Sequence, residues 1–183
     1  MGGSGPAGPV WFERDSCSRT VLTGADAVDL LQRITTNDLE GMSATDVRNT
    51  CLVDANGRML DLFSVWHLGT ELLLIGSENQ GETLRAHLAD AVSWKDDVQA
   101  IDADDALHLF TLVGEGADDA VCSLVDELPE CGRWSMGKSC WCARPVRNGE
   151  TDCWDIVFQA GNRQEVLSLL STHGVSRADE HAW

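Results

Sequence analysis

Positively charged residues are scarce in this sequence of 183 residues. Lys and Arg together number 13, whereas Asp and Glu number 30, and the formal net charge at pH 7 is -17. A surface that binds nucleic acid needs clustered cations to neutralise phosphate, so a general nucleic-acid-binding function is excluded. Docking on anionic lipid is disfavoured for the same reason. The acidity is typical of a solubilising surface, which also suits high salt.

Long apolar runs and targeting signals are also missing. No apolar run approaches the ~20 residues that span a bilayer. The N-terminal segment MGGSGPAGP contains neither the basic nor the apolar part of a secretory signal. We therefore expect residues 1–9 to be a flexible leader or a tag, residues 10–183 to form a single domain, and the protein to be cytoplasmic with no membrane partner.

Several motifs of common enzymes are absent. There is no Gly-x-Ser-x-Gly, no His-Glu-x-x-His and no Cys-x-x-Cys, and the five histidines are dispersed. The segment 114–116, Gly-Glu-Gly, lacks both the third glycine of a nucleotide fingerprint and the lysine of a phosphate loop. These absences predict a protein without a metal site and without a nucleotide role.

The seven cysteines give one pair of interest. Their odd number and the length of the chain argue against a secreted disulfide scaffold. In a strand, Cys140 and Cys142 would lie on one face, with Cys131 and Cys153 on either side in the sequence. The pair would then hold a metal or act in redox chemistry. The alternative, which is favoured, is that both cysteines are reduced and serve as small apolar core residues.

Patterns of apolar residues predict an α+β fold with a mostly antiparallel central sheet and packed helices. Asn-Gly pairs place hairpin turns at 54–57 and 148–149, and capping boxes are predicted at 23–26 and 77–80. The predicted strands span 10–12, 19–23, 47–53, 58–66, 71–75, 106–113, 140–144 and 152–158. The predicted helices have apolar faces within 27–34, 84–92, 117–128 and 166–170, and the third is expected to stop at Pro129 and the last at Gly174.

Asp61 is the first candidate site residue. On the predicted strand 58–66 it shares a face with Met59, Phe63 and Val65, and both faces of that strand are mostly apolar. A carboxylate among apolar neighbours must find hydrogen-bond donors, and such groups are often functional. The alternative is that Asp61 caps a loop or pairs with an arginine such as Arg58 or Arg48.

Asp155 raises a similar question on the second hairpin. It shares a face with Cys153 and Val157, whereas Trp154 points to the other face. Its carboxylate would accept paired N–H donors from a flat heterocycle, or it would be a solvated residue on an edge strand; the pattern leaves both open.

Two segments carry a resemblance to a known family. LTGADAVDLLQRITTNDLEGM (22–42) and LVDANGRMLDLFSV (52–65), followed in order by LLLIGSEN (72–79) and GETDCWDIVF (149–158), resemble the glycine-cleavage T-protein (aminomethyltransferase) superfamily. That superfamily includes a branch involved in iron–sulfur assembly. The resemblance covers nearly the whole chain after about residue 14 and matches the folate-binding part of the family.

The resemblance implies a set of folate-binding residues. Asp61 matches the family's Asp after the hairpin, which would hydrogen-bond near the reacting nitrogen of tetrahydrofolate and act in catalysis, with Phe63 beside it. Trp154 and Asp155 match an aromatic-Glu pair that grips the pterin ring, with Asp in place of Glu. The family's Asn at the end of the third strand is replaced by Gly76, and the nearest polar substitutes are Ser77 and Asn79.

The resemblance also implies an activity and its partners. T-proteins transfer a one-carbon unit to tetrahydrofolate from a lipoyl carrier protein, and the chain ends where the family continues into a C-terminal β-barrel. The expectation is a folate-binding, aminomethyltransferase-like domain that lacks this barrel, whose catalytic competence is open. The alternatives are a non-catalytic folate- or partner-binding module, a relative of the folate-dependent iron–sulfur maintenance proteins, or a homodimer that completes the pocket.

Overall fold

The structure is a computed structural model that describes residues 8–145 and 153–178. These residues fall into two compact units: one takes its residues from Met1–Arg14 and Leu107–Trp183, and the other is Asp15–Ala106. Each unit combines a wholly or mostly antiparallel sheet with two α-helices, which confirms the predicted α+β class. Within the described residues, no helix is long and apolar enough to cross a membrane.

The unit Asp15–Ala106 is built on a five-stranded sheet in the order β3-β4-β5-β2-β6, in which every pair is antiparallel. Its elements are β2 (Cys17–Thr23), α1 (Ala27–Ile34), β3 (Val47–Val53), β4 (Met59–His67), β5 (Glu71–Glu78), α2 (Gly81–Ala91) and β6 (Gln99–Asp102). Its core joins apolar residues of β2, β4 and β5 to the inner faces of both helices, including Leu30, Leu31, Leu84 and Leu88.

The other unit is built on a six-stranded sheet in the order β11-β1-β7-β10-β9-β8. Its elements are β1 (Val10–Glu13), β7 (Leu107–Val113), α3 (Ala117–Cys122), β8 (Arg133–Met136), β9 (Trp141–Arg144), β10 (Cys153–Gln159), a short 3-10 turn (Ala160–Asn162), α4 (Arg163–Thr172) and β11 (Ser176–Arg177). The pair β1–β11 is parallel and the other strand pairs are antiparallel. One core cluster packs α3 and α4 against β7 and β10.

The first predicted hairpin is confirmed. Asp54 accepts hydrogen bonds from the backbone N–H groups of Asn56 and Arg58, and Gly57 takes a positive φ of 75°. This Asx-type turn sets the β3–β4 register. The second predicted hairpin is confirmed in its strands, because β9 and β10 pair antiparallel, but its turn at 148–149 lies outside the described residues.

Both predicted capping boxes are wrong. Thr23 is the last residue of β2, and α1 is capped at Asp26, whose carboxylate accepts the N–H of Asp97. Ser77 likewise belongs to β5, which runs to Glu78. Thr23 and Ser77 pair within the sheet instead of capping a helix, so each helix begins three residues later than the motif indicates.

The third helix is shorter than predicted, and three strands were not predicted. Helix α3 ends at Cys122, where the Ser123 hydroxyl donates to the Ala120 carbonyl at 2.6 Å, well before Pro129. Leu124 and Val125 stay buried without being helical. The unpredicted strands are β6, β8 and β11, which are two to four residues long. Segments this short carry too few residues to show an alternating pattern.

Candidate functional site

A β-bulge lies between β2 and β5. Cys17 pairs with Glu78 and Arg19 pairs with Ile75, so one residue of β2, Ser18, stands opposite two residues of β5, Gly76 and Ser77. A bulge re-aims the groups of the residues that it contains. Here it directs the Ser77 N–H away from the β2–β5 ladder and towards a side chain on β4.

That side chain is Asp61, which is 5% exposed. Its Oδ1 accepts a hydrogen bond from the Ser77 N–H at 3.1 Å. Its Oδ2 is buried, and no residue in the described part of the chain gives it a hydrogen bond. An unpaired buried carboxylate oxygen is costly, because it has lost its water without gaining a donor. Asp61 is therefore set up to accept a hydrogen bond from a donor outside the chain.

Neither of the arginine alternatives for Asp61 holds. The Arg48 guanidinium donates instead to the backbone carbonyls of Asp38 and Glu40. The only bond to the Asp61 carboxylate within the described residues comes from Ser77. The mostly apolar pattern of both faces favours a strand that is covered on both sides, and this interpretation is wrong, since Leu62 on the face opposite Asp61 is 54% exposed.

Gly76 keeps the space beside Asp61 small and free of a side chain. A Cβ atom on Gly76 would lie 2.4 Å from Ser18 Oγ and 2.7 Å from Asp61 Oδ2, closer than Cβ atoms approach other heavy atoms. Ser18 Oγ is likewise buried, and it has no hydrogen-bond partner among the described residues. The bulge therefore gathers two unpaired oxygens around one glycine.

The other predicted site residues of this unit lie close by in the sheet. Phe63 follows Asp61 on the same face and is buried in the unit's core. Ser77 contacts Asp61 through its backbone, and its hydroxyl donates weakly to the Leu62 carbonyl at 3.5 Å. Asn79 is exposed, with a left-handed φ of 58°, and its N–H donates to the Ser16 carbonyl at 2.7 Å. The structure thus joins Asp61 to Ser77, while Asn79 ends the strand.

Trp154 and Asp155 belong to the other unit, on an interior strand. Trp154 is fully buried in the core cluster, and its indole N–H donates to Asp118 Oδ1 at 2.8 Å. Asp155 is 9% exposed and accepts the Thr111 hydroxyl at 2.7 Å. Strand β10 lies between β7 and β9, so the alternative of a solvated edge residue is wrong. Their contact with a pterin stays a prediction.

Cys140 and Cys142 lie on one face, as predicted. Their sulfur atoms are 3.7 Å apart, and both side chains are buried beside Trp154 in the core. The hydrogen bond from the Cys142 thiol lowers the pKa of Cys140, against the effects of burial and of Glu165. The same bond, together with burial, raises the pKa of Cys142. Cys131 and Cys153 do not join them in a cluster of three or more ligand atoms among the described residues.

The bulge and Ser18 were missed by sequence reasoning. The available signal was Gly76 itself, a single glycine inside the apolar run of β5, which is typical of a bulge or of a close approach. That signal locates the irregularity but not the residue opposite it, because the partner strand depends on the sheet order.

Two solved structures share this fold. The glycine cleavage system aminomethyltransferase T from Bartonella henselae matches with a TM-score of 0.78 at 17% identity, over 93% of this chain and 47% of that chain. A chain of the heterotetrameric sarcosine oxidase from Corynebacterium sp. U-96 matches with a TM-score of 0.64 at 16% identity, over 93% of this chain and 86% of that chain. This chain therefore spans about half of the aminomethyltransferase. No curated protein sequence matches it.

The fold is therefore the one that this aminomethyltransferase and this sarcosine oxidase chain share. The model of the GCVT N-terminal domain matches residues 10–132, from β1 to the loop before β8. The chain belongs to the GCVT N-terminal domain family.

Proposed function

We propose that this chain binds tetrahydrofolate, or a one-carbon-substituted folate, through Asp61. The observation that carries the proposal is the buried Asp61 carboxylate, whose Oδ2 has no donor among the described residues. A folate presents N–H groups, and a buried carboxylate oxygen gains most from such a donor because no water competes for it. Membership of the family supports the same ligand class.

Asp61 would have two effects on a bound folate. When bound, tetrahydrofolate supplies the nitrogen atoms that carry one-carbon units. The Asp61 carboxylate would orient one of these nitrogens and stabilise positive charge that develops on it. The Ser77 N–H fixes the carboxylate by holding Oδ1. Phe63, Ser77 and Asn79 are proposed to contact the ligand from β4 and β5.

One-carbon transfer itself is part of the proposal. This chain spans 47% of the aminomethyltransferase whose fold it shares, and Asp61 is the residue on which we base the proposed transfer. A lipoyl carrier protein as donor and a second copy of the chain are the proposed partners. We place the protein in the cytoplasm, on the basis of its composition and of its seven cysteines, none of which forms a disulfide.

A second candidate is a non-catalytic module that acts as one subunit of an assembly. The match to a chain of the heterotetrameric sarcosine oxidase favours it, because this chain covers 86% of that subunit and so has a comparable extent. In this case the fold would be retained for contact with partner chains, and folate binding by the isolated chain would be absent.

Calorimetric titration separates the two candidates. We expect tetrahydrofolate and 5-formyltetrahydrofolate to bind with micromolar Kd, about -8 kcal/mol. Asp61→Asn keeps the shape and the Ser77 bond but removes the charge, so affinity for tetrahydrofolate should fall about thirtyfold. Asp54→Asn, a matched change in the adjacent turn, should leave the affinity unchanged. A folded wild-type chain that binds no folate would contradict the proposal and support the subunit role.

A further inference from the structure

Ser18 is a second buried polar residue at the bulge that lacks a partner. It is 3% exposed, and its hydroxyl makes no hydrogen bond with any described residue. A buried hydroxyl normally bonds to a nearby carbonyl, so an unpaired one is uncommon. Its position opposite Gly76 and Ser77 is a direct result of the bulge.

The two unpaired oxygens lie close to one another beside Gly76. The position of a Cβ on Gly76 lies within 2.7 Å of both Ser18 Oγ and Asp61 Oδ2. The carboxylate oxygen can only accept a hydrogen bond, whereas the hydroxyl can donate one as well. One atom that carries both a hydrogen and a lone pair satisfies this combination, and a secondary amine nitrogen is such an atom.

We propose that Ser18 is a further ligand-binding residue and that, with Asp61, it recognises an unsubstituted secondary amine of a folate. The amine N–H donates to Asp61 Oδ2, and the nitrogen lone pair accepts the Ser18 O–H. A nitrogen that carries a one-carbon group has lost this N–H. The pair therefore distinguishes a free folate nitrogen from a substituted one. This inference rests on the proposed function, because it needs a folate at Asp61.

The first turn of α2 covers the pair. A Cβ on Gly81 would lie 3.0 Å from Ser18 Cβ, and a Cβ on Gly76 would lie 3.5 Å from Leu84 Cδ2. Helix α2 begins without a side-chain capping bond, after the left-handed Asn79. An uncapped first turn is the part of a helix that opens at least cost. The ligand reaches the two oxygens by displacing this turn.

The test compares Ser18→Ala with Ser16→Ala, a control at an exposed serine two residues earlier. Calorimetry under anaerobic conditions measures the affinity for tetrahydrofolate, 5-formyltetrahydrofolate and 10-formyltetrahydrofolate. In the wild type, the derivative that blocks the recognised nitrogen should bind at least tenfold more weakly than tetrahydrofolate. Ser18→Ala should weaken the affinity for tetrahydrofolate about fivefold and leave the affinity for the blocked derivative unchanged. The ratio of these two affinities should therefore be smaller in Ser18→Ala than in the wild type.

A purely structural role for Ser18 predicts a different pattern. Removing an unpaired buried hydroxyl should leave the Tm unchanged or raise it by about 2 °C, whereas removing a structural hydrogen bond lowers it. Ser18→Gly provides a second variant with the same expectation for affinity. If wild type and Ser18→Ala bind tetrahydrofolate equally while Asp61→Asn binds weakly, the inference is overturned and the proposed function stands. If the wild type binds no folate, both fail.

Discussion

Asp61 and Asp155 are both buried carboxylates on interior strands, yet only Asp155 receives a hydrogen bond from the residue directly opposite it on a neighbouring strand. Asp155 faces Thr111 across the β7–β10 ladder, and the Thr111 hydroxyl donates to it at 2.7 Å. Asp61 faces Leu52 across the β3–β4 ladder, and leucine has no donor. In this protein the cross-strand neighbour provides a donor for Asp155 and none for Asp61, whose Oδ2 has no partner among the described residues.

The ladders themselves differ in the same way. The β7–β10 ladder runs without interruption from Cys153, opposite Val113, to Gln159, opposite Leu107. The β2–β5 ladder is broken at Ser18, and it is this break that turns the Ser77 N–H towards Asp61. A regular ladder uses its polar groups internally, whereas the irregular one leaves two oxygens unpaired.

The largest expected effect comes from removing the donor that satisfies Asp155. Thr111→Val keeps the shape of the side chain but leaves a buried carboxylate oxygen short of a bond, so the free energy of unfolding should fall by about 2 kcal/mol. Asp61→Asn should change the free energy of unfolding by less than about 0.5 kcal/mol, because Oδ2 makes no hydrogen bond within the described residues that the substitution could remove. Urea unfolding measures both. Equal losses of unfolding free energy in Thr111→Val and Asp61→Asn would contradict the difference between the two carboxylates.

A smaller effect is expected from filling the space at the bulge. Gly76→Ala places a methyl group against Ser18 Oγ and Asp61 Oδ2, and the overpacking should cost about 1 kcal/mol. Adding Ser18→Gly removes the closer of the two contacts and should recover part of the loss in urea unfolding. If the double variant is less stable than Gly76→Ala alone, the two residues do not meet as described.

Cys140 and Cys142 are a second polar pair that the regular sheet satisfies internally. Because the Cys142 thiol lowers the pKa of Cys140, the pH at which iodoacetamide alkylates Cys140 should depend on Cys142. Cys142→Ala should shift the profile of Cys140 to higher pH. Cys140 lines a surface pocket of about 200 Å³, which gives the reagent access. Peptide mass spectrometry measures the alkylation of Cys140, and identical pH profiles in the wild type and in Cys142→Ala would count against the pairing.

The smallest effect concerns Asp54, a fully bonded carboxylate near Asp61. The N–H of Arg58, followed by that of Asn56, lowers its pKa in the folded state. Its stabilisation is therefore present above the pKa of the unfolded chain and is lost as the pH falls through the folded value. Asp54→Ala should lower the Tm at pH 7 and not below about pH 2. A difference in Tm that does not change with pH would refute this account.

The sequence predicted the parts of the site that depend on local pattern. The alternation 59–66 placed Asp61 on a mostly buried strand face, and Asn56-Gly57 located the turn before it. The same logic separated Trp154 from Asp155, because successive side chains of a strand point to opposite faces. In each case the information lies within ten residues of chain.

What the sequence did not predict depends on which strands meet. Ser18 and Asp61 both lie beside Gly76 because β2 and β4 flank β5. The strand order of a sheet is not encoded in any one segment of the sequence. The capping boxes failed for a related reason: Thr23 and Ser77 satisfy a helix-start pattern but are held in the sheet by their neighbours. Tertiary pairing overrides such local signals.

The most direct measurement is a crystal structure of this chain with bound tetrahydrofolate. We expect a folate nitrogen within about 3.1 Å of Asp61 Oδ2, with the bond from the Ser77 N–H to Oδ1 preserved. A folate bound elsewhere, with Asp61 Oδ2 still buried and unpaired, would contradict the claim that this carboxylate awaits a ligand.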